Sequence, residues 1–173
     1  MSFTPSPVLG EVIVDQLIRS GVRDAVISPG SRNAPLTMAL WRAAELNRIR
    51  LHTRIDERSA AFLALGITKS TSTPTPVICT SGSAAANFYP ALLEAHHNQH
   101  PLIAITADRP ARLWQTGANQ TTTQVEMFPA AVKQSINLSA TGSEPGQVQL
   151  WREQIAGSYV AELSSPRSNT FRS

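Results

Sequence analysis

The sequence lacks several features that define particular classes of protein. It contains a single cysteine, Cys79, which excludes an internal disulfide framework and favours a reducing compartment. No apolar run approaches the ~18 residues that a membrane-spanning helix needs. The N-terminal sequence MSFTPSPVLGE also lacks the basic segment and apolar core of a signal peptide. We therefore expect a cytoplasmic protein with no membrane span.

Motifs for nucleotide binding are also absent, and the basic residues are not clustered. Neither G-x-G-x-x-G nor the P-loop pattern occurs, so a dinucleotide or nucleoside triphosphate site lacks its usual support. The net charge is +3, but the basic residues are scattered, whereas nucleic-acid binding typically shows a basic stripe. We expect no nucleic-acid partner. Thirteen arginines stand against two lysines, which suits an acidic small molecule because guanidinium groups bind carboxylates bidentately, although biased codon usage gives the same excess.

Segments typical of strands and of helices alternate along the 173 residues. This pattern predicts one α/β domain of three layers, in which helices cover both faces of a doubly wound, mostly parallel sheet. The predicted strands are Ala25–Ser28, Arg50–Thr53, Val77–Thr80 and Leu102–Ala107, with a weaker one near Val132–Leu138. The predicted helices are Pro7–Ser20, Pro35–Asn47, Ser59–Lys69, Ser83–Ala95 and Pro145–Leu163.

The segments between these elements carry further expectations. Thr68–Pro76 is rich in Ser, Thr and Pro, which predicts a surface loop. Pro90 removes one backbone hydrogen bond from the helix that contains it, so we expect a kink there. We expect a long loop from Asp108 to Met127, and the final sequence, SSPRSNTFRS, indicates a disordered tail or a point of truncation.

One carboxylate, that of Glu57, stands at the start of a predicted helix. Asp56 is expected to cap this helix, which puts Glu57 in its first turn. A carboxylate is favoured there by the unsatisfied N–H groups and the helix dipole. Both residues could equally do no more than cap the helix, and that interpretation stays open at this point.

Four loops follow the four clear strands, and in a doubly wound sheet all of them gather at one edge. Two helix N-termini and two arginines beside one carboxylate would suit an anionic ligand, with one group able to handle a proton. Each loop alone is explained equally well by turn chemistry. The residues expected to lie near one another are Ser31, Arg32, Glu57, Thr80, Ser81 and Arg109, with the backbones of Gly30 and Gly82.

Four segments of the chain resemble a known family. In order they read SPGSRNAPL, HTRIDERSAAFLALG, VICTSGSAAANFYPALLEA and ITADRPARLWQTGANQTTTQVEMF. They resemble the N-terminal pyrimidine-binding domain of thiamine-diphosphate enzymes. Within these enzymes the sequence is most similar to the family of 2-succinyl-5-enolpyruvyl-6-hydroxy-3-cyclohexene-1-carboxylate synthases of menaquinone and phylloquinone biosynthesis, over roughly residues 7–165.

The resemblance implies an activity and a cofactor. The enzyme would use thiamine diphosphate, with Mg²⁺ or Mn²⁺, to decarboxylate 2-oxoglutarate and to add the succinyl unit to isochorismate. Glu57 matches the family glutamate that hydrogen-bonds the aminopyrimidine nitrogen N1′. That contact favours the tautomer whose exocyclic nitrogen can take the proton from carbon C2 of the thiazolium ring.

The same resemblance implies roles for the loop residues. Ser31, Arg32 and Arg109 match positions that face the carboxylate-bearing substrate, and paired guanidinium groups suit dicarboxylates. Asn119 and Gln120 match amides that line the reaction chamber. A close approach of the backbone to the ligand would explain the glycines of the turns. The positions that match the cofactor side, beside Glu57, are Pro29, Gly30, Thr80, Ser81 and Gly82.

The chain departs from the family in one respect. The GDG motif with a following Asn, which holds the diphosphate and its metal in a later domain of the family, is absent, so we expect no metal ligand here. We interpret residues 1–165 as a pyrimidine-binding domain without its last strand, and residues 166–173 as a polar tail or truncation point. The family's active site forms between subunits, which implies a homodimer or homotetramer and predicts that this part alone is inactive.

Other interpretations remain open. A non-catalytic α/β binding or regulatory module would explain the missing diphosphate half, and another thiamine-diphosphate carboligase would share the TSG turn and the glutamate at the strand end. The sequence EAHHNQH offers His96, His97 and His100 as metal ligands, but Pro101 places His100 past the helix end, which favours solvated histidines. Cys79 is expected to be a small buried residue rather than a nucleophile.

Overall fold

A four-stranded, fully parallel sheet lies at the centre of the fold. The computed structural model describes residues 5–140 and 144–164. The strand order is β2-β1-β3-β4, so the direction of winding reverses between β1 and β3, as in a doubly wound sheet. This confirms the predicted fold class. The strands are β1 (Asp24–Ile27), β2 (Arg50–Thr53), β3 (Thr75–Cys79) and β4 (Leu102–Thr106).

Helices cover both faces of the sheet. On one face α1 packs against α2 and α6, and on the other face α3 packs against α5 and the central strands. Among residues 5–140 and 144–164, no helix is both long and apolar enough to cross a membrane. The helices are α1 (Pro5–Arg19), α2 (Ala34–Glu45), α3 (Glu57–Thr71), α4 (Ser83–Ala86), α5 (Tyr89–His97) and α6 (Gln147–Leu163), with a short 3-10 helix at Ala111–Leu113.

The side chains of the central strands divide between two cores. In β1, Ala25 and Ile27 pack with α1, α2 and α6, whereas Val26 packs with α3 and α5. Because both faces of β1 and β3 are buried, these strands are apolar along their length rather than alternating. The largest fully buried side chains of the two cores are Trp151 and Phe88, so each helix layer has its own aromatic anchor.

The segment predicted as a loop at Thr68–Pro76 is mostly regular structure, and that prediction was wrong. Helix α3 continues to Thr71, and β3 already begins at Thr75. Hydroxyl groups make this possible: Oγ1 of Thr71 donates to the carbonyl of Ile67, and Oγ1 of the buried Thr68 accepts a hydrogen bond from the Thr75 backbone N–H at 3.2 Å. The helix therefore tolerates a Ser/Thr-rich last turn because its hydroxyls bond within it or to the next strand.

Pro90 does not kink a continuous helix. The predicted helix from Ser83 to Ala95 is two helices, with α4 ending at Ala86 and α5 beginning at Tyr89. Pro90 therefore occupies the first turn of α5, where its missing N–H would have had no helical partner in any case.

The segment Val132–Leu138, predicted as a weak strand, is not part of the sheet. Val132 packs against the core beneath α3 and α5, whereas Leu138 packs against the core on the opposite face. The chain thus crosses from one helix layer to the other here, and its apolar residues serve that crossing rather than strand pairing. The predicted tail at 166–173 lies outside the described residues.

Candidate functional site

The carboxyl ends of the four parallel strands meet at one edge of the sheet, where the predicted site residues lie. The loops after β1 and β3 stand side by side at the point where the winding reverses, which is the usual ligand crevice of such sheets. The loop after β2 lies beyond β1, and the loop after β4 lies beyond β3. Glu57 and Arg109 are therefore at opposite ends of this edge.

Glu57 is the first residue of α3, and Asp56 caps the helix, as predicted. Asp56 has an extended backbone, and its Oδ1 accepts a hydrogen bond from the N–H of Ser59 at 2.7 Å. The hydrogen bonds from Ser59 hold the pKa of Asp56 below its ordinary value. Because Asp56 performs the capping, the carboxylate of Glu57 is not needed for it.

The carboxylate of Glu57 is partly buried and free to accept a hydrogen bond. Among the residues that the structure describes, it has neither a hydrogen-bond partner nor an ion-pair partner. Its charge acts on Cys79 at the end of β3: burial raises the pKa of that thiol, and the Glu57 carboxylate raises it further. The Glu57 carboxylate therefore lies close enough to β3 for its charge to act on the Cys79 thiol.

The loop after β1 is held by one buried amide. Nδ2 of Asn33 donates to the carbonyl of Ser28 at 2.8 Å, and Oδ1 of Asn33 accepts from the N–H of Gly30 at 2.7 Å. Asn33 has no exposed surface, whereas Ser31 and Arg32 between these anchors are exposed. The loop is therefore rigid at its base and offers a hydroxyl and a guanidinium to solvent.

Gly30 and Thr80 join the loops after β1 and β3. A Cβ atom on Gly30 would lie 2.6 Å from the Cβ of Thr80, a distance that real carbon atoms do not reach. The two loops consequently touch through backbone and methyl groups at the centre of the crevice. The exposed Pro29 precedes this contact.

The turn after β3 is bound to the segment that contains the GANQ sequence. Oγ of the buried Ser81 donates to the carbonyl of Gln120 at 2.8 Å, and Nε2 of Gln120 lies 3.4 Å from the Oγ1 of Thr80, to which it donates. Gly82 has φ +84°, and a Cβ there would lie 3.1 Å from Gln120. Gln120 itself has a left-handed backbone, φ +60°, so strain is concentrated where these two segments meet.

Arg109 follows β4, and its side chain is bound to backbone rather than to a carboxylate. Nη2 donates to the carbonyl of Asn119 at 2.6 Å, and the N–H of Arg109 donates to Oδ1 of Asp108 at 2.6 Å. The carbonyl of Arg109 accepts from the indole N–H of Trp114 at 2.8 Å. Burial raises the pKa of Asp108. Within the described residues, the guanidinium of Arg109 has no carboxylate partner.

Two buried polar side-chain atoms in the described part of the chain have no hydrogen-bond partner, and both lie at this edge. They are Oγ of Ser28, directly after β1, and Nε of Arg109, directly after β4. Unpaired buried polar groups are costly, and both of these lie at the edge where sheets of this kind bind ligands.

The structure brings only some of the predicted residues into contact. Gly30, Thr80, Ser81, Gly82 and Gln120 touch one another, and Arg109 touches Asn119. In the described ranges, no hydrogen bond or ion pair joins Glu57, Ser31 or Arg32 to them. Strands β2 and β4 are three strand spacings apart, about 14 Å, which separates the loop that leads to Glu57 from the loop that carries Arg109.

Sequence reasoning missed Asn33 and Gln124. Asn33 stands directly before α2, and an Asn followed by a helix with Pro in its first turn is a signal that could have found it. Gln124 accepts from the N–H of Gly82 and donates to the end of β4. Nothing local in the sequence marks it, because its three contacts lie 17 to 42 residues away.

The alternative sites have little structural support. Helix α5 ends at His97, so His100 lies beyond it as expected, and His96 and His97 are exposed. No group of three His, Cys, Asp or Glu residues within 5–140 and 144–164 could hold a metal ion. Cys79 is fully buried, with a raised pKa, and its thiol therefore stays protonated.

Comparison with known proteins identifies a family for most of the chain. Residues 8–127 match the family described as thiamine pyrophosphate enzyme, N-terminal TPP binding domain. A 2-succinyl-5-enolpyruvyl-6-hydroxy-3-cyclohexene-1-carboxylate synthase of Saccharopolyspora erythraea is 52% identical over 151 residues, which are 87% of this chain and 27% of that protein. The proteins of the same name in Nocardia farcinica and Thermobifida fusca are each 47% identical, over 95% and 91% of this chain.

The match to these relatives is nearly complete for this chain but partial for them. The chain spans 27%, 32% and 28% of the lengths of the three relatives. The match to the family includes β1 to β4 and every loop at the carboxyl edge of the sheet.

Proposed function

This chain belongs to the family of thiamine pyrophosphate enzymes, whose N-terminal TPP binding domain it matches, and we propose that it is the pyrimidine-binding part of a 2-succinyl-5-enolpyruvyl-6-hydroxy-3-cyclohexene-1-carboxylate synthase of menaquinone or phylloquinone biosynthesis. The whole enzyme decarboxylates 2-oxoglutarate and adds the succinyl unit to isochorismate. Support comes from relatives of that name that are 47% to 52% identical across nearly all of this chain.

The free carboxylate of Glu57 is the observation that carries this proposal. It is partly buried in the first turn of α3, it is relieved of capping by Asp56, and it has no partner within the described ranges. Such a group fits the aminopyrimidine ring, because a protonated ring nitrogen needs one carboxylate acceptor. Thiamine diphosphate, when bound, supplies a carbon nucleophile that can hold the electron pair left by decarboxylation. Glu57 holds the proton at the pyrimidine nitrogen on which that reactivity depends.

The loops after β1 and β3 form the rest of the pyrimidine side. Gly30 packs against Thr80, with Pro29 directly before it in the chain, and Ser81 and Gly82 pack against Gln120 of the GANQ segment. Each of these contacts limits how far the crevice can open. A planar ring that binds here would contact backbone whose conformation is already fixed by these contacts. This favours binding, because little conformational entropy remains to be lost.

The substrates bind on the side where the exposed Arg32 and the half-buried Arg109 lie. Arg32 and Ser31 project from the loop that Asn33 anchors, and Arg109 has a buried, unpaired Nε. Both 2-oxoglutarate and isochorismate are dicarboxylates, and guanidinium groups orient carboxylates through paired N–H donors. The amide of Asn119, exposed beside Arg109, and that of Gln120 complete this side.

Several parts of the proposed enzyme lie outside this chain. The diphosphate and a Mg²⁺ or Mn²⁺ ion are held by a later domain, and the active site is shared within a homodimer or homotetramer. The chain alone is therefore inactive. A cytoplasmic location suits the single thiol, Cys79, which is buried and reduced.

Replacing Glu57 with Gln tests the proposal. In the full-length protein that carries this chain, Glu57→Gln should lower kcat for consumption of isochorismate with 2-oxoglutarate by at least ~100-fold, a typical loss when a group that handles a proton is removed. Turnover is followed by the absorbance of isochorismate. Glu45→Gln, the same change at the exposed end of α2, is the matched control and should leave kcat unchanged.

Three results would contradict the proposal. Equal turnover by Glu57→Gln and wild type would remove the role of Glu57. Full-length wild type that binds thiamine diphosphate but consumes neither substrate would remove the synthase reaction and leave another carboligase, whereas wild type that does not bind the cofactor would be a non-catalytic module.

A further inference from the structure

Gln124 uses both ends of its amide to tie together two loops of the candidate site. Its Oε1 accepts a hydrogen bond from the N–H of Gly82 at 2.9 Å. Its Nε2 donates to Oγ1 of Thr106 at 3.2 Å and to the carbonyl of Ala107 at 3.0 Å. One half-buried side chain thus connects the turn after β3 with the end of β4.

These contacts require the specific chemistry of a primary amide. The buried N–H of Gly82 needs an acceptor, whereas the carbonyl of Ala107 needs a donor. Only Asn and Gln carry an oxygen acceptor and two N–H donors on one uncharged group. A carboxylate would satisfy Gly82 and repel the carbonyl, and an apolar side chain would leave both groups unpaired.

The turn held by Gln124 is the one that faces the proposed cofactor. Gly82 adopts φ +84°, and a Cβ atom there would lie only 3.1 Å from Gln120. Ser81 donates to the carbonyl of Gln120. Gln120 itself has a left-handed backbone, φ +60°. A turn under this strain keeps its conformation only if its surroundings fix it, and the bond from Gly82 to Gln124 is the one that reaches across to β4.

We propose that Gln124 is a positioning residue, which sets the backbone of the Thr80–Gly82 turn and through it the affinity for the aminopyrimidine of the cofactor. This inference rests on the proposed function. Gln124 does not touch the reacting atoms. It acts through Gly82, and its loss lets the turn relax away from Gln120 and from the ligand.

Two variants of the full-length protein separate this role from a merely structural one. Gln124→Ala removes all three bonds and should weaken the binding of thiamine diphosphate with Mg²⁺ at least tenfold, since it leaves the buried N–H of Gly82 without an acceptor and frees the turn. Gln124→Glu should bind as weakly at pH 8, where the new carboxylate repels the Ala107 carbonyl. As the pH falls towards 5, a growing fraction of this carboxyl is protonated. That form can again accept from Gly82 and donate to Ala107, so the affinity relative to wild type should rise.

The dissociation constant is measured by quenching of tryptophan fluorescence at each pH between 5 and 8, and each variant is divided by wild type at the same pH. Gln134→Ala is the matched control, because Gln134 is exposed and has no hydrogen-bond partner in the described part of the chain. It should bind within twofold of wild type. The melting temperature without cofactor is recorded alongside, since a purely structural role would shift it without a recovery of affinity at low pH.

The outcomes distinguish this inference from the function on which it rests. Wild type that does not bind thiamine diphosphate at any pH refutes the proposed function and this inference with it. Wild type that binds, together with Gln124→Ala that binds within twofold, refutes the role of Gln124 alone. If Gln124→Ala does not fold, the pH series of Gln124→Glu decides, and a ratio to wild type that stays flat from pH 8 to pH 5 overturns the inference.

Discussion

Asp24 is a buried carboxylate, 6% exposed, at the start of β1. Both of its oxygens accept hydrogen bonds from Arg50, at 2.8 and 2.7 Å, and Nε2 of His52 lies 3.0 Å from Oδ1. The Arg50 guanidinium is the main cause that holds the pKa of Asp24 below its ordinary value of 3.8, against the opposing effect of burial. Because the pair joins the first residues of β1 and β2, it fixes the register of the outer strand.

This shift gives folding a pH dependence whose sign is determined. A carboxyl group with a lowered pKa in the folded state binds protons more readily when unfolded, so unfolding is favoured as the pH falls. The stabilisation is complete above about pH 5 and is lost as the pH drops below 4 through the folded pKa of Asp24.

We predict that Asp24→Asn lowers the stability of the protein at pH 7 by about 1.5–3 kcal/mol, the usual contribution of hydrogen bonds to a charged group. The difference from wild type should shrink steadily between pH 5 and pH 3. Urea midpoints measured across this range test it, with Glu45→Gln as an exposed acidic control. A difference that is the same at pH 3 and pH 7 contradicts the assignment.

At the scale of elements, the connection between α3 and β3 depends on one buried hydroxyl. Thr68 is 1% exposed, and its Oγ1 accepts the hydrogen bond from the N–H of Thr75, which is also 1% exposed. Ser72 ends α3 with a left-handed backbone, φ +55°. The short turn between the two elements is thus closed from inside the fold.

Thr68→Val should destabilise the protein by about 1–3 kcal/mol, because the valine keeps the volume but leaves a buried N–H unpaired. Thr68→Ser should lose much less, since it retains the hydroxyl. Thermal unfolding distinguishes the two. Thr122→Val, at an exposed position of the long loop, is the matched control, and an equal loss for the valine and serine variants at position 68 would exclude the hydrogen bond as the cause.

The elements that the sequence predicted best have a strong local signal. The bounds of β1 and β2 agree with prediction to within one residue, because short apolar or alternating segments there lie between clear turns. Two of the failures involve tertiary contacts. The Ser/Thr-rich turn at 68–71 is helical because one of its hydroxyls accepts a hydrogen bond from the first backbone N–H of β3. Val132–Leu138 is apolar because it packs against both cores.

The site shows the same division. Asp56 as a cap and the touching loops at Gly30 and Thr80 follow from strand ends and helix starts, which sequence patterns mark. The hydrogen bonds by which Gln124 joins the turn after β3 to the end of β4 could not be predicted, because its partners are set by the packing of a loop with one short 3-10 helix. The separation of Glu57 from Arg109 depends on strand order, which residue patterns alone do not determine.

For the molecule as a whole, Asp15 connects parts of the chain that are far apart in sequence. Its carboxylate accepts from Arg19 at 2.7 Å, from Arg48 at 2.8 Å and from Arg152 at 2.9 Å. The hydrogen bond from Arg48 is the largest of the effects that hold the pKa of Asp15 well below its usual range. This one residue of α1 thereby ties α6 to the segment that leads into β2.

We predict that Asp15→Asn loosens α6 without unfolding the sheet. Amide hydrogen exchange of residues 147–163 should be faster than in wild type, because α6 then loses its charged link to α1 and keeps only its apolar contacts and neutral hydrogen bonds there, such as the bond from Arg152 to Gln16. Exchange in β1 and β3 should not change. Glu11→Gln, which breaks an exposed pair between α1 and α2, is the control. Equal exchange of α6 in all three proteins would contradict this role.

The strand order also has an electrostatic consequence. The two outer strands, β2 and β4, are about 14 Å apart, and the acidic group follows one of them whereas the guanidinium follows the other. Across solvent this exceeds the screening length of about 8 Å at physiological ionic strength. The two opposite charges therefore do not neutralise each other, and the edge of the sheet presents a dipole along which an elongated ligand with a cationic and an anionic end can align in one direction only.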